Sequence, residues 1–442
     1  MTVEARRMRA QLLSGPPADG VLGAVERVVG VQAQSWPAAR LAVRARTRGA
    51  IAEDVDAALA RGELARTWLM RGTLHLVAAA DLGWLTEMFG PLNRAAGQRR
   101  REELGVTDAV AERALAELPG ILAGAGPMER GELIARLAHR GVRVDPSGQA
   151  PAHLVAYAAS AGVVCRGPDV SGRPTVLLAD EIRAAPAAGG PRQFSGDAAL
   201  AELARRYLLG YGPADEADLA AWSGLPLPTA RLALTLCADS ASLAAAVPPP
   251  RLLGAFDTLL LGYRDRAFIL PPEHLRRVNA GGGMIAPTLL VDGQVAGVWR
   301  RSGRRVVLRP FGPSRPPGSV RGALEADVRG ALEADVRGAL GADVRGALEA
   351  DVRGALDADV RGALGADVRG ALGADVRGAL GADVRGALGA DVRGALDADV
   401  RGALEADVRG ALDADVRGAL EAEVADLARF VGERLTPAWE DA

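Results

Sequence analysis

The chain has 442 residues with 53 basic side chains, all of them arginine, against 55 acidic ones, for a formal net charge of −2. That near-neutral total hides a split: residues 320–442 carry 15 Arg and 25 acids, whereas residues 1–319 carry 38 Arg and 30 acids. Two isolated cysteines, Cys165 and Cys237, exclude a disulfide framework or a local metal motif, and neither a secretory signal nor an apolar run of about 18 residues is found, so a soluble, cytoplasmic chain is expected.

Three stretches share one order, short helices followed by a β-hairpin. In the first, Val3–Leu13, Gly20–Val31 and Ile51–Arg61 read as helices, the last with Glu53 and Asp54 in its first turn, where the helix dipole favours acids. Arg66–Val77 then turns to β-branched and aromatic residues around Gly72 and predicts two strands. The order returns as helices over Met128–Arg140 and Gln149–Gly162, with a hairpin from Val163–Arg166 and Pro174–Ala179. It returns again as helices over Ala214–Ser223 and Pro228–Cys237, with strands expected at Phe256–Leu261, Ala267–Leu270, Thr288–Val291 and Val295–Arg300. Asp292-Gly293 is a strong hairpin-turn signal.

Helices followed by a hairpin are the pattern of a winged helix-turn-helix, in which one helix enters the major groove and the wing touches the backbone. The expected fold is therefore α+β and mainly helical, with three tandem winged-helix units (1–125, 126–195 and 196–319) forming a concave DNA-binding cleft. An arginine-rich body of net positive charge fits double-stranded DNA as partner, since neutralised phosphates release counterions; a solvated basic surface would look the same.

From Val320 the sequence becomes an octad, VRGAL-x-AD, in 13 copies to Val416. An apolar spacing of four drifts about 40° per step around a helix, so no partner could follow the stripe. A glycine in every octad costs about 1 kcal/mol relative to alanine. Residues 320–419 are thus expected to be a weakly helical or disordered tail, read either as a spacer or acidic arm or as slippage of one helical segment. Residues 420–442 hold an amphipathic C-terminal helix, with Ala419–Val431 as its pattern.

Among residues that carry chemistry, Gln32-Ala33-Gln34 stands where a helix gives way to a loop. If that segment is extended, residues i and i+2 share a face, and two paired amides can hold one water by donating and accepting at once. Amides take protons poorly, so the pair suits a leaving group that departs easily; two surface glutamines are the plain alternative. On the next hairpin Arg71 fits a phosphate contact, and His75 fits wing packing or a backbone hydrogen bond. No Ser, Cys or carboxylate motif accompanies the histidines, so a nucleophilic triad is unsupported. Arg264 and Arg266 fit either phosphate contacts or an Arg–Asp network. Gly281-Gly282-Gly283 lacks the lysine and strand–helix context of a phosphate loop. Arg300 and Arg301 close the last hairpin as a candidate wing on DNA.

The stretches VQAQSWPAARLAVRAR, RTWLMRGTLHLV, GQAPAHLVAYAASAGVVCRGP, AFDTLLLGYRDR, LPPEHLRRVNAGGGMIAPTLLVDG and VWRR together resemble the AlkZ-like family of winged-helix DNA-binding proteins, over about residues 20–310. The octads have no counterpart in that resemblance. It implies three tandem winged helices and DNA glycosylase activity on N7-alkylated purines, including interstrand crosslinks, in DNA repair. It also implies a catalytic Gln-apolar-Gln signature, matched position for position by Gln32, Ala33 and Gln34; a related branch carries aspartate at the second position. The family's cleft hairpin maps to Arg276–Thr288 or Thr288–Arg300, which adds Arg276 and Arg277 to the DNA-contact candidates. No cofactor or metal is implied. With no lysine to form a Schiff base, base release without strand cleavage is expected. The alternatives are a DNA-binding protein without enzymatic activity, such as a transcription regulator, or a protein whose octads form a self-association arm.

Overall fold

The computed structural model describes residues 3–186, 190–237, 249–311 and 415–440. Met1–Phe311 and Val424–Ala442 form one compact unit, and Gly312–Glu423 a second. The octads up to residue 414 lie outside the described residues.

The chain opens with α1 (Val3–Ala10), α2 (Gly20–Arg27), β1 (Val31–Gln32), α3 (Trp36–Arg44), α4 (Ala52–Ala60), β2 (Leu64–Trp68) and β3 (Leu74–Ala78). The first helix stops short of the expected Leu13 because Leu12 takes a left-handed φ of 59°. At α4 the Asp54 carboxylate accepts the Ile51 N–H at 2.8 Å, which satisfies an orphan donor of the first turn. Two long helices follow, α5 (Leu82–Glu103) and α6 (Asp108–Leu122). Thr107 caps α6 by accepting the Val110 N–H.

Next come β4 (Met128–Glu129), α7 (Arg130–His139), α8 (Ala150–Ser160), β5 (Val164–Arg166), β6 (Thr175–Leu178) and α9 (Ala179–Arg183). The remainder comprises α10 (Gly196–Tyr211), α11 (Glu216–Ser223), α12 (Leu227–Leu236), β7 (Arg251–Leu253), α13 (Thr258–Leu261), α14 (Leu275–Val278), β8 (Thr288–Val291), β9 (Gln294–Ser302) and β10 (Arg305–Pro310). The chain closes with α15 (residues 415–431) and β11 (Thr436–Trp439). No helix among the described residues is long and apolar enough to cross a membrane.

Two of the expected strands are not strands. Phe256–Leu261 bends at Phe256, whose φ is 57°, and then forms α13, where Asp257 accepts the Leu259 N–H at 3.0 Å. Ala267–Leu270 is a turn in which the N–H groups of Ile269 and Leu270 both reach the Arg266 carbonyl. Short apolar runs read alike whether they are buried strand or buried helical turn, and here capping decided the outcome. The Asp292-Gly293 turn does form, with φ of 49° and 76° at its two residues, and joins β8 to β9.

Strands pair into two sheets. One has the order β1-β3-β2-β5-β6-β4, so the hairpins of the first and second stretches merge through an antiparallel bridge between Arg66 and Arg166. The other has the order β11-β10-β9-β8-β7, and its β10–β11 pair is parallel. Two cores result. The larger draws mainly on residues up to Phe89 and from Ala199 onward, with Cys165, Leu177 and Ala179 of the second stretch joining it, while a second core spans Val106 to Leu178.

The C-terminal segment belongs to the body. Phe430 is buried in the larger core, and the Asp426 carboxylate meets the buried Arg44 guanidinium at 2.7 Å. Arg44 also donates to the Leu252 carbonyl at 2.7 Å. The octads are therefore bounded on both sides by parts of one unit, an internal insertion in sequence and not a free end.

An aromatic cluster positions the entry to β1. Tyr207 stacks on Tyr211 at 4.9 Å, Trp222 tilts against both, and Tyr263 meets Tyr211 edge-on at 6.0 Å. The Tyr211 hydroxyl donates to the Val28 carbonyl at 3.0 Å. Alongside, Gly210 lets α10 lie against the end of α2, since a Cβ there would come within 2.2 Å of the Arg27 carbonyl oxygen.

Candidate active site

Between α2 and β1 the chain turns sharply at Val29, whose φ of 62° is an outlier for a β-branched residue. It then runs extended. Val31 pairs with Leu76 and Gln32 with His75, and the Ala33 N–H donates to the Leu74 carbonyl at 2.7 Å. Val31 and Ala33 are sealed in the core, so the period of two turns Gln32 and Gln34 to the opposite face. Gln32 is buried and Gln34 exposed, and Gln32 Nε2 donates to Gln34 Oε1 at 2.8 Å.

The segment is braced from behind. Arg66 Nε donates to the Ala33 carbonyl at 3.0 Å, and its guanidinium lies over the Trp36 ring at 5.2 Å, near Asp169 at 3.5 Å. Burial first, then the neighbouring Arg166 charge, pulls the Arg66 pKa down to about 10. Trp36 is in turn held by the Asp56 carboxylate at 2.8 Å.

Arg71 sits in the turn between β2 and β3 with a left-handed φ of 55°. Its Nη2 donates to Gln32 Oε1 at 3.3 Å, and its Nη1 donates to the Trp222 carbonyl. Burial lowers its pKa, and the charge of Arg266 acts in the same direction. His75 is buried beside it, and burial followed by the Arg71 charge pushes its pKa down to about 3. The ring Nδ1 lies 2.9 Å from the Thr73 carbonyl, so Nδ1 carries the proton and donates. His75 is thus neutral at physiological pH and is not a titrating acid or base there.

That burial has a measurable consequence for stability. Between pH 6.5 and about 3 the unfolded chain protonates His75 and the folded chain does not, so stability falls with falling pH across this window. One such group contributes roughly 1.4 kcal/mol per pH unit. Urea unfolding of wild type and His75→Asn from pH 7 to pH 4 should show a slope shallower by about one proton in the variant; equal slopes would place the histidine in a solvated site.

The remaining DNA-contact candidates are spread over other elements. Arg266 is half-buried, its pKa is lowered by burial, and its side chain has no partner among the described residues. Arg264 is exposed, and its backbone N–H donates to Asp218 at 2.9 Å. Arg276 and Arg277 lie on α14, and the Arg277 guanidinium sits 5.4 Å over the Phe311 ring. Arg277, Val298, Arg309 and Phe311 line a cavity of about 300 Å³ whose lining contains neither glutamine. Arg300 meets Glu440 at 2.7 Å, and Arg301 pairs with Glu433. The structure thus gathers Gln32, Gln34, Arg71 and His75 in one place, with Arg266 within electrostatic reach of Arg71, and ties Arg300 and Arg301 to C-terminal carboxylates.

Two contributors were not singled out from the sequence. Asn93 on α5 holds the β2–β3 turn by donating to the Leu69 carbonyl at 2.8 Å. Trp222 meets Arg71 through its main-chain carbonyl, which no side-chain motif announces.

A family model described as DNA glycosylase AlkZ-like matches residues 25–341. The chain is 30% identical over 339 residues to an interstrand DNA cross-link repair glycosylase of Streptomyces sahachiroi, covering 70% of this chain and 90% of that protein. Among solved structures it is similar to Streptomyces sahachiroi DNA glycosylase AlkZ, with a TM-score of 0.61, 28% identity, and coverage of 72% of this chain and 93% of the other.

Proposed function

From its membership of the AlkZ-like DNA glycosylase family, to which this chain belongs, we propose that it is a monofunctional glycosylase hydrolysing the N-glycosidic bond of N7-alkylated purines in duplex DNA, with interstrand crosslinks among its substrates. The three helix-and-hairpin stretches, 1–125, 126–195 and 196–319, are read as winged-helix units around the duplex. The relatives are glycosylases, which supports an enzyme over a regulator. The observation that carries the reading is the Gln32–Gln34 amide pair, hydrogen-bonded on the face of the extended segment opposite Val31 and Ala33 and braced from behind.

N7 alkylation places a positive charge on the purine. When the bond from C1′ to N9 breaks, its electron pair flows into the ring and neutralises that charge, so the base leaves without a strong acid. A water then forms the new bond to C1′ of the oxocarbenium-like sugar and gives its proton to solvent. Gln34 Oε1 accepts one bond from Gln32 and keeps a second lone pair, which can accept an O–H of that water and aim its oxygen at the sugar. The contribution is orientation and electrostatics, in keeping with two groups that cannot take a proton.

Arg266 supplies the matching expectation for binding. A half-buried guanidinium without a carboxylate partner is stabilised by an incoming phosphate. Arg266→Ala should weaken duplex binding and reduce the slope of log affinity against log salt by about 1. An unchanged slope, measured by fluorescence anisotropy over several salt concentrations, would remove Arg266 from the interface.

The test of the function itself uses purified protein and a duplex carrying one N7-methylguanine. Free base should appear, leaving a strand that stays intact until heated in alkali, because the chain has no lysine for a strand-cleaving Schiff base. No released base from this or a crosslinked duplex would reject the proposal.

A further inference from the structure

A glutamine amide has two nearly isosteric orientations that differ by exchange of its oxygen and nitrogen, and its neighbours decide between them. Two facing glutamines alone do not settle the choice, because either can donate to the other. Arg71 settles it, since a guanidinium has donors only. Nη2 of Arg71 on Gln32 Oε1 forces the Gln32 nitrogen toward Gln34, where it meets Oε1 at 2.8 Å. Resting on the glycosylase reading above, we propose that Arg71 is a positioning residue: it locks the amide pair in the one polarity that presents an acceptor to the attacking water. In the flipped polarity Gln34 Nε2 would stand at that point and donate to the lone pair that has to attack C1′.

The fold invests in keeping Arg71 there. It holds a left-handed conformation that an arginine rarely adopts, in a turn fixed by the Gly72 N–H to Leu69 carbonyl bond at 3.0 Å and by Asn93 at 2.8 Å. On its other side it reaches the end of α11, where Nη1 donates to the Trp222 carbonyl at the partly negative helix C-terminus. Gly224 caps that helix with φ of 80°, and a Cβ there would come within 3.2 Å of the Arg71 backbone nitrogen and Cγ. Arg71 therefore bridges an acceptor of the first stretch and one of the third. Lysine, a single ammonium on a flexible stem, does not reproduce two bonds in a fixed fork.

The experiment compares wild type, Arg71→Met, Arg71→Lys, Gln32→Ala and the Arg71→Met/Gln32→Ala double variant. Excision of N7-methylguanine is measured in single turnover at saturating protein, with duplex affinity measured across salt concentrations. Arg71→Met should slow excision roughly tenfold or more with an unchanged salt slope, and Arg71→Lys should recover only part of the loss. Because Arg71 acts through Gln32, the double variant should be no slower than Gln32→Ala alone. Losses that multiply overturn the proposal. So does a salt slope reduced by about 1 with excision at saturation intact, since that identifies a phosphate contact.

A second readout is independent of catalysis. In protein labelled with ¹⁵N-glutamine, the Gln32 side-chain NH₂ signals should shift and exchange faster with water in Arg71→Met, and signals that stay as in wild type overturn the orientation role. If wild type releases no base, the glycosylase reading has failed, and these signals alone decide what Arg71 does.

Discussion

Gln34→Ala is expected to slow release of N7-methylguanine by roughly 10²–10³ while duplex affinity changes less than twofold, the usual cost of removing one oriented polar group from a reaction that proceeds by charge stabilisation. Gln34 is exposed, and among the described residues its side chain has one bond, from Gln32 Nε2. Truncation therefore leaves the core untouched, and a loss of rate can be read as a loss of chemistry. Gln32→Ala is less clean. It removes the acceptor of Arg71 as well as the donor to Gln34, so a modest fall in stability should accompany the loss of rate. The comparison to make is single-turnover excision beside urea unfolding for each variant. If Gln34→Ala excises at the wild-type rate, the amide pair is not the water site.

The largest expected effect on stability lies away from that pair. Arg46 and Asp257 are both wholly inaccessible and form a bidentate pair, with both nitrogen–oxygen distances 2.9 Å. The guanidinium also donates to the Ala42 carbonyl, Gln11 and Thr258, at 2.8, 2.9 and 2.6 Å. Asp257→Ala leaves that charge in the core without a counterion and should destabilise the fold by about 3–5 kcal/mol. Arg46→Met/Asp257→Leu removes both charges and retains apolar volume, so it should cost much less than the single change. Chemical denaturation of the two variants checks the order. If the double variant is the less stable, the pair contributes through its hydrogen-bond network more than through charge balance.

Local features were the readable ones. The hairpin of Arg66–Val77 shows in its run of β-branched and aromatic residues, and the Asp292-Gly293 turn in two residues that tolerate positive φ. The shared face of Gln32 and Gln34 follows from their spacing once the segment is extended, and β1 makes it extended. Features set by distant partners were not readable. Arg300 and Arg301 look like free positive charge in a hairpin, yet their carboxylates come from Glu440 and Glu433, after the octads. The Phe256–Leu261 run has the composition of a strand, but Asp257 is occupied by Arg46 and caps a helical turn. Helices α5 and α6 are hard to read in the sequence because the C-terminal half of α5 is polar and mostly exposed, Arg101 excepted, and alanine supplies two of the five buried positions of α6. Nothing local reveals that the turn carrying Arg71 faces Gln32 and the end of α11.

The parallel pairing of β10 with β11 also bears on how the protein emerges from the ribosome. About 125 residues separate Phe311 from Thr436, so at about 5–20 residues per second roughly 6–25 seconds pass before the last strand is synthesised. Throughout that interval Val306, Val307 and Leu308 belong to an open sheet edge, the kind that recruits strands from neighbouring nascent chains. Every added octad lengthens that wait, so a longer array should raise aggregation during translation.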